Sequence, residues 1–427
     1  MRKSVRKGKK NMNTSFYTIK PEIHKAAEKA MVLCRPYLER TDEITEYNQQ
    51  KMLKAFQKAR VSESCFTAST GYGYGDRGRD ALDAVFADVL DTEDALVRHN
   101  FCSGTHALTV ALFGVLRPND TMISVTGLPY DTLQGVIGIG SSYSGSLKDF
   151  GICYEQIDLL SDGTVDFETM KQRITPTTKM VYIQRSRGYS LRPTLKAAEI
   201  RKIANLAHML APNCIVMLDN CYGEFVEKQA PGSLGVDLMA GSLIKNPGGG
   251  IAPTGGYIAG RHDLVEQCSY RLTTPGTGKE IGCTLGNSRE LFMGAFNAPH
   301  VTGEAVKTAI FTSALYDLLN FGVTPGYDEE RGDIIQAILL ENEQNLIRFC
   351  QGIQQASPID SFVTPEPWDM PGYDSKVIMA AGAFTLGSSI ELSADAPLRE
   401  PYAVWMQGSL NFHTGKLGAM LAASGIV

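Results

Sequence analysis

A chain of 427 residues with 43% hydrophobic residues is long enough to build two or three domains, each with its own core. Its 41 basic and 46 acidic residues leave it slightly acidic, so the totals imply no broad cationic surface and no nucleic-acid partner. Nine cysteines, an odd number with no CxxC pair, argue against a disulfide framework and for a reducing cytoplasm.

The chain opens on MRKSVRKGKK, where six of ten residues are lysine or arginine. No apolar run follows, so this reads as a basic tail rather than a signal peptide, and no later segment reaches membrane-spanning length. Amphipathic stretches over 21–38 and 42–60 predict two helices, which with the tail make an N-terminal arm over 1–70. The glycine–tyrosine alternation in TGYGYGDRGRD then rules out regular helix or strand. From Asp80, DALDAVFADVL has helical spacing. The apolar runs ALVRH, TMISV, ICYEQIDL, KMVYIQ, CIVMLD, DLMAGSLI and GGYIAG follow as strands, alternating with helical patterns such as GTHALTVALFGVL and TLKAAEIRKIANLAHML. Such alternation predicts an α/β domain over 71–320 built on a large, mostly parallel sheet. Its ligand should sit beyond the carboxyl ends of the strands. After Phe321 the pattern changes to a helix around 333–351 and the strands KVIMAAGAF, SSIELSAD and YAVWMQGSL, predicting a smaller α+β domain over 321–427.

In GSLIKNPGGGIAPTGGYIAG a strand runs into Lys245, and Gly248 to Gly250 would let the backbone pass close to a bulky ligand. Taken alone, such a lysine is a solvated strand-end charge. However, CIVMLD ends in Asp219, 26 residues earlier, one strand unit away in the same sheet. A buried carboxylate there has a specific use, because pyridoxal phosphate draws electrons best when its ring nitrogen stays protonated, and a carboxylate opposite that nitrogen favours the charged form. Ser103, Gly104 and Thr105 stand just before an apolar helix, where free N–H groups, hydroxyls and the positive dipole end suit a phosphate. Ser242, three residues before Lys245, could add a further hydroxyl. Together these residues point to pyridoxal phosphate carried by Lys245 as a Schiff base.

The strings SGTHA, LDNCYGEF and GSLIKNPGGGIAPTGGYIAG resemble the fold-type-I pyridoxal-phosphate enzymes of the cystathionine and methionine lyase branch. With GYGYGDRGRD, GLPYDTL, QRSRGYS and LREPYAVWMQGSLNFHTGK they resemble, more narrowly, the methionine gamma-lyase-like proteins labelled aluminium resistance proteins. The resemblance implies the fold-type-I transferase fold and a homodimer or homotetramer with active sites shared between subunits. It implies that a neighbouring subunit brings a tyrosine and an arginine to the phosphate, here Tyr74 with Arg77, with Tyr72 as the alternative tyrosine. It also implies an aromatic ring over the cofactor, for which Tyr130 is the candidate, and a small-domain arginine for the substrate carboxylate. Arg399 is the candidate for that role, with Arg185, Arg187 and Arg192 as competitors. His106 lies inside a helix and reads as a local hydrogen-bonding group. The implied activity is elimination of a thiol from a sulfur amino acid of the cystathionine, cysteine or methionine type, giving a keto acid and ammonia. The rival readings are an aminotransferase or aldolase using the same cofactor, and a non-catalytic phosphate-ligand-binding protein. The last is weakened because no GxxxxGK[ST] or GxGxxG string follows a strand. No metal is expected.

Overall fold

The computed structural model describes residues 16–140, 144–369 and 375–427; the basic tail at 1–10 lies outside them. The helices are α1 (Pro21–Lys58), α2 (Arg77–Val89), α3 (Gly104–Val115), α4 (Asp131–Ile137), α5 (Phe167–Arg173), α6 (Ala197–Leu210), α7 (His262–Leu272), α8 (Ser288–Leu318), α9 (Glu343–Ala356) and α10 (Phe412–Ile426). One sheet is made of β1 (Asp94–Arg98), β2 (Thr121–Ser124), β3 (Cys153–Gln156), β4 (Met180–Gln184), β5 (Ile215–Asp219), β6 (Leu238–Ser242) and β7 (Gly256–Gly260). A second is made of β8 (Gly322–Thr324), β9 (Gln336–Leu339), β10 (Val377–Ala380), β11 (Ser393–Pro397) and β12 (Ala403–Gln407).

The first sheet has the order β1-β7-β6-β5-β4-β2-β3, and only β7 runs against its neighbours. The chain therefore adopts the α/β class with a mostly parallel sheet that its sequence predicts. Parallel strands joined by crossover helices are covered on both faces, and accordingly MVYIQ and IVMLD are buried at every position. α3 and α7 cover one face through Leu108, Leu112 and Val265. α2 and α6 cover the other through Val85, Phe86, Ile200 and Ile203. The carboxyl ends of β2, β4, β5 and β6 are left free to hold a ligand.

The second sheet is antiparallel, in the order β10-β11-β12-β9-β8. Successive strand residues point to opposite faces. Ala394, Ala396, Val404 and Met406 enter a core shared with α1, α8, α9 and α10. Asp395, Trp405 and Gln407 take the other face and meet the first sheet across a cavity.

Several expectations are corrected. The two helices expected over 21–38 and 42–60 are one, α1, which runs through Pro36. An interior proline costs roughly 3 kcal/mol in a helix. Here a buried stripe through Ile23, Ala27, Ala30, Cys34, Met52 and Ala55 holds the helix against α8 and offsets that cost. The 1–70 segment consequently does not stand apart, because Ile23 to Cys34 join the core of the second sheet and Met52 and Ala55 that of the first. The helix expected around 333–351 is instead β9 followed by α9, with Asn342 capping α9 by accepting from the Asn345 N–H at 2.9 Å. The strand expected in SSIELSAD begins only at Ser393. The Gly248 to Gly250 run serves packing within the protein rather than a ligand. A Cβ on Gly248 would collide with the Leu243 carbonyl, and one on Gly249 (φ 55°) would lie 2.5 Å from the Gly294 carbonyl of α8.

Candidate functional site

β2 runs into the turn that carries Tyr130, β4 ends at Gln184, β5 ends at Asp219, and Lys245 follows the end of β6. These strand ends and the free face of the second sheet enclose a cavity of about 520 Å³, with Asp219 and Lys245 in its lining and Asp395, Arg399, Trp405 and Gln407 across from them. Register accounts for the convergence: Gln184 pairs with Asp219 and Asp219 with Ala240, so β4 and β5 finish level while β6 runs on to Ser242 before Lys245.

Asp219 is 3% exposed, and its Oδ1 accepts from the Cys221 N–H at 3.1 Å. Burial pushes its pKa up, and the charge of Lys245 pulls it back. Burial works against the Lys245 ammonium, but the surrounding Cys221, Tyr222 and Asp219 outweigh it and hold the lysine above its ordinary range. Lys245 Nζ lies 4.0 Å from the ring centroid of Tyr222, a cation–π contact. Tyr222 itself has φ 70°, a left-handed conformation that a bulky residue adopts only when its surroundings impose it.

Ser103 caps α3, its Oγ accepting from the His106 N–H at 3.0 Å. Gly104 brings the helix start against the strand ends: a Cβ there would sit 3.3 Å from Ser242 Cβ and 3.4 Å from Cys221 Sγ. Thr105 Oγ1 lies 2.8 Å from the Tyr130 hydroxyl, and the Tyr130 N–H donates to Gln184 Oε1 at 2.9 Å. Ser242 Oγ is buried with no partner, which costs about 1–3 kcal/mol unless a ligand satisfies it. A buried carboxylate, a lysine amine, a free helix start and an orphaned hydroxyl are the groups that a phosphorylated aromatic aldehyde such as pyridoxal phosphate requires. The residues present fit it.

The other arginines divide by their partners. Arg185 is taken up by Asn220 Oδ1 at 2.9 Å and Glu227 Oε2 at 2.7 Å, and Arg192 by backbone carbonyls including that of Gln184 at 2.8 Å. Arg187 lines the cavity; its Nη1 donates to the Thr324 carbonyl at 2.9 Å while its Nε is buried without a partner. Arg399 also lines the cavity, is exposed, and makes no ion pair with Asp395 or Glu400. His106 Nδ1 accepts from the Cys102 N–H at 3.1 Å, a local role. Tyr74 and Arg77 do not reach the cavity of their own chain. Tyr72 and Tyr74 are 70% and 68% exposed and stack on each other with centroids 5.5 Å apart, and Arg77 is exposed at the start of α2.

Tyr222, Gln184, Asp395 and Gln407 were not singled out by sequence. Tyr222 and Gln184 do adjoin strand ends that had been marked for chemistry, which was a usable signal. Asp395 and Gln407 owe their place to a cross-sheet contact that no local pattern encodes. Among the described residues no cluster of histidine, cysteine or acidic residues could hold a metal ion, and no helix is long and apolar enough to cross a membrane.

The methionine gamma-lyase family matches residues 23–427. The uncharacterized protein YnbB of Bacillus subtilis strain 168 is 49% identical over 372 residues, 87% of this chain and 88% of that protein. A carbon–sulfur lyase involved in aluminium resistance from Clostridium novyi has the same fold at 52% identity and TM-score 0.93, covering 97% of this chain and 98% of that one. A candidate cystathionine beta-lyase involved in aluminium resistance from Clostridium acetobutylicum gives 51% identity and TM-score 0.93 over 97% of each chain.

Proposed function

The chain belongs to the methionine gamma-lyase family of pyridoxal-phosphate-dependent carbon–sulfur lyases, and from that premise we propose that it eliminates a thiol from a sulfur amino acid of the cystathionine, cysteine or methionine type. The other products are a keto acid and ammonia. What supports this reading is that Asp219 and Lys245 line one cavity at the strand ends.

When bound, pyridoxal phosphate supplies an aldehyde that condenses with amines and a ring that draws negative charge away from the substrate Cα. Lys245 would hold it through Nζ, and the same amine would serve as the base that takes the proton from the substrate Cα. Asp219, buried among the strand ends, would be the group that keeps the ring nitrogen protonated. Ser103, Gly104 and Thr105 at the start of α3, together with Ser242, would hold the phosphate, and Tyr130 would be the aromatic neighbour of the ring. Arg399 receives the substrate α-carboxylate, orienting the Cα–H bond toward Lys245. The exposed Tyr74 and Arg77 act in a second copy of the chain, so the working unit is a homodimer or homotetramer. The location is cytoplasmic, in keeping with nine free cysteines.

The test is a panel of amino acids scored for thiol, keto acid and ammonia together. Release of all three from a sulfur amino acid is expected, whereas keto acid formed by amino transfer without thiol would replace this reading with an aminotransferase. Borohydride should fix the label on Lys245, and Lys245→Ala should lose turnover by at least about three orders of magnitude while still taking up the cofactor.

A further inference from the structure

Asp395 is 6% exposed, sits on the cavity face of β11, and has an unusual set of partners. Gln407 Nε2 donates to its Oδ2 at 3.1 Å, and the Tyr189 hydroxyl bonds to it as well. Both are neutral. No lysine, arginine or histidine among the described residues pairs with it or moves its ionisation. Two other buried acids have charged or backbone donors instead. Asp83 pairs with Arg98 at 2.7 Å, and Glu391 accepts from the Phe384 and Thr385 N–H groups at 2.8 and 3.0 Å.

A carboxylate out of water needs a counter-charge or must become neutral. Burial lifts the Asp395 pKa only to about 6, so the group is anionic at neutral pH. Trp405 stands opposite it in β12, the rings of Trp405 and Tyr189 lie 5.4 Å apart, and Arg187, Arg192 and Arg399 line the same cavity without pairing with it. The missing positive charge is therefore one that something entering the cavity can bring. The α-amine of a substrate does not fill this role, because it is committed at Lys245, on the first sheet.

We infer that Asp395 reads a second ammonium group on the substrate, beyond the sulfur. The cavity then suits thioether amino acids whose far end is charged, and suits poorly those that end in an alkyl group. This inference rests on the lyase reading above.

The test compares two thioethers that differ only at the far amine, L-cystathionine and S-(3-carboxypropyl)-L-cysteine. S-(2-carboxyethyl)-L-homocysteine replaces the second compound if cleavage proves to be at Cγ. Wild-type protein loaded with cofactor should favour the diamine by about 10- to 100-fold in kcat/KM, the worth of one buried charge-assisted hydrogen bond. Asp395→Asn keeps the shape and the Gln407 contact. It should bring the ratio within about threefold by raising KM for the diamine, leaving the other compound nearly unchanged. Equal kcat/KM for the two compounds in the wild type would overturn the inference, as would an equal slowing of both by Asp395→Asn. If the variant does not fold, the wild-type ratio alone decides. If neither compound is cleaved, the amino-acid panel decides the lyase reading, and the calorimetric affinities of wild-type protein for the two compounds decide the role of Asp395.

Discussion

Glu224 shows what a single buried group does to the stability of this molecule. It is 2% exposed; its Oε1 accepts from the Tyr257 hydroxyl at 2.8 Å, and its Oε2 has no partner. The same tyrosine hydroxyl accepts from Asn220, next to Asp219, at 3.0 Å. Burial raises the Glu224 pKa from its ordinary 4.5 to about 7, against the opposing pull of Tyr257, Lys245 and Arg185. Because the folded-state value is raised, there is no penalty below the unfolded pKa, where both states are protonated. As pH rises from about 4.5 to 7 the unfolded state ionises first and stability falls, by roughly 3 kcal/mol in all. Glu224→Gln keeps an acceptor for Tyr257 and removes the ionisation. Denaturant unfolding at pH 5 and pH 8 should therefore show the variant gaining on wild type at the higher pH, and an identical pH response in both proteins would place the charge of Glu224 elsewhere.

At the scale of elements, Gly249 is where the loop after Lys245 meets α8. Gly249→Ala would both strain a left-handed position and push a Cβ toward the Gly294 carbonyl, whereas Gly71→Ala, at φ 62°, meets nothing within 4 Å. The second change should cost about 1 kcal/mol for backbone strain alone and the first at least about 2 kcal/mol more, read from urea midpoints. Equal losses would mean that the α8 contact is loose. Such close approaches explain what could and could not be read from sequence. β2, β4, β5 and β6 were legible because a strand covered on both faces is one apolar run, and their ends in turn marked Asp219, Lys245 and the turn at Tyr130. α8 was not: with Ala295, Ala298, Thr302, Ala305 and Ala309 buried among other small residues on most of its faces, it carries no polar–apolar period. β9 reads as helix because its Ala337–Leu339 run is apolar without a break, and such a run does not separate strand from helix. The break expected between Leu38 and Asp42 is absent, because tertiary packing keeps α1 continuous.

For the whole molecule, the exposed Tyr72–Tyr74 stack and Arg77 give the proposed sharing of sites a direct test. Mixing Lys245→Ala with Arg77→Ala protein under subunit exchange makes dimers in which one site carries both lesions and the other carries neither. Activity should rise toward about a quarter of wild type at equal, random mixing. With exchange demonstrated, and with Arg77→Ala shown by sedimentation to assemble and by assay to be nearly inactive, persistence of the parental background would mean that each site belongs to one chain. α1 has a consequence of another kind, in time rather than in space. The part of its apolar stripe from Ile23 to Cys34 packs on α8, and at roughly 5–20 residues per second the ribosome needs roughly 10–50 s to pass from Lys58 to Ser288. The core that takes up Ile23, Ala27 and Ala30 also needs Phe412 and Met420 of α10, so it closes later still. During synthesis this chain therefore displays the N-terminal half of a long amphipathic helix uncovered, the sort of surface that nascent-chain chaperones hold.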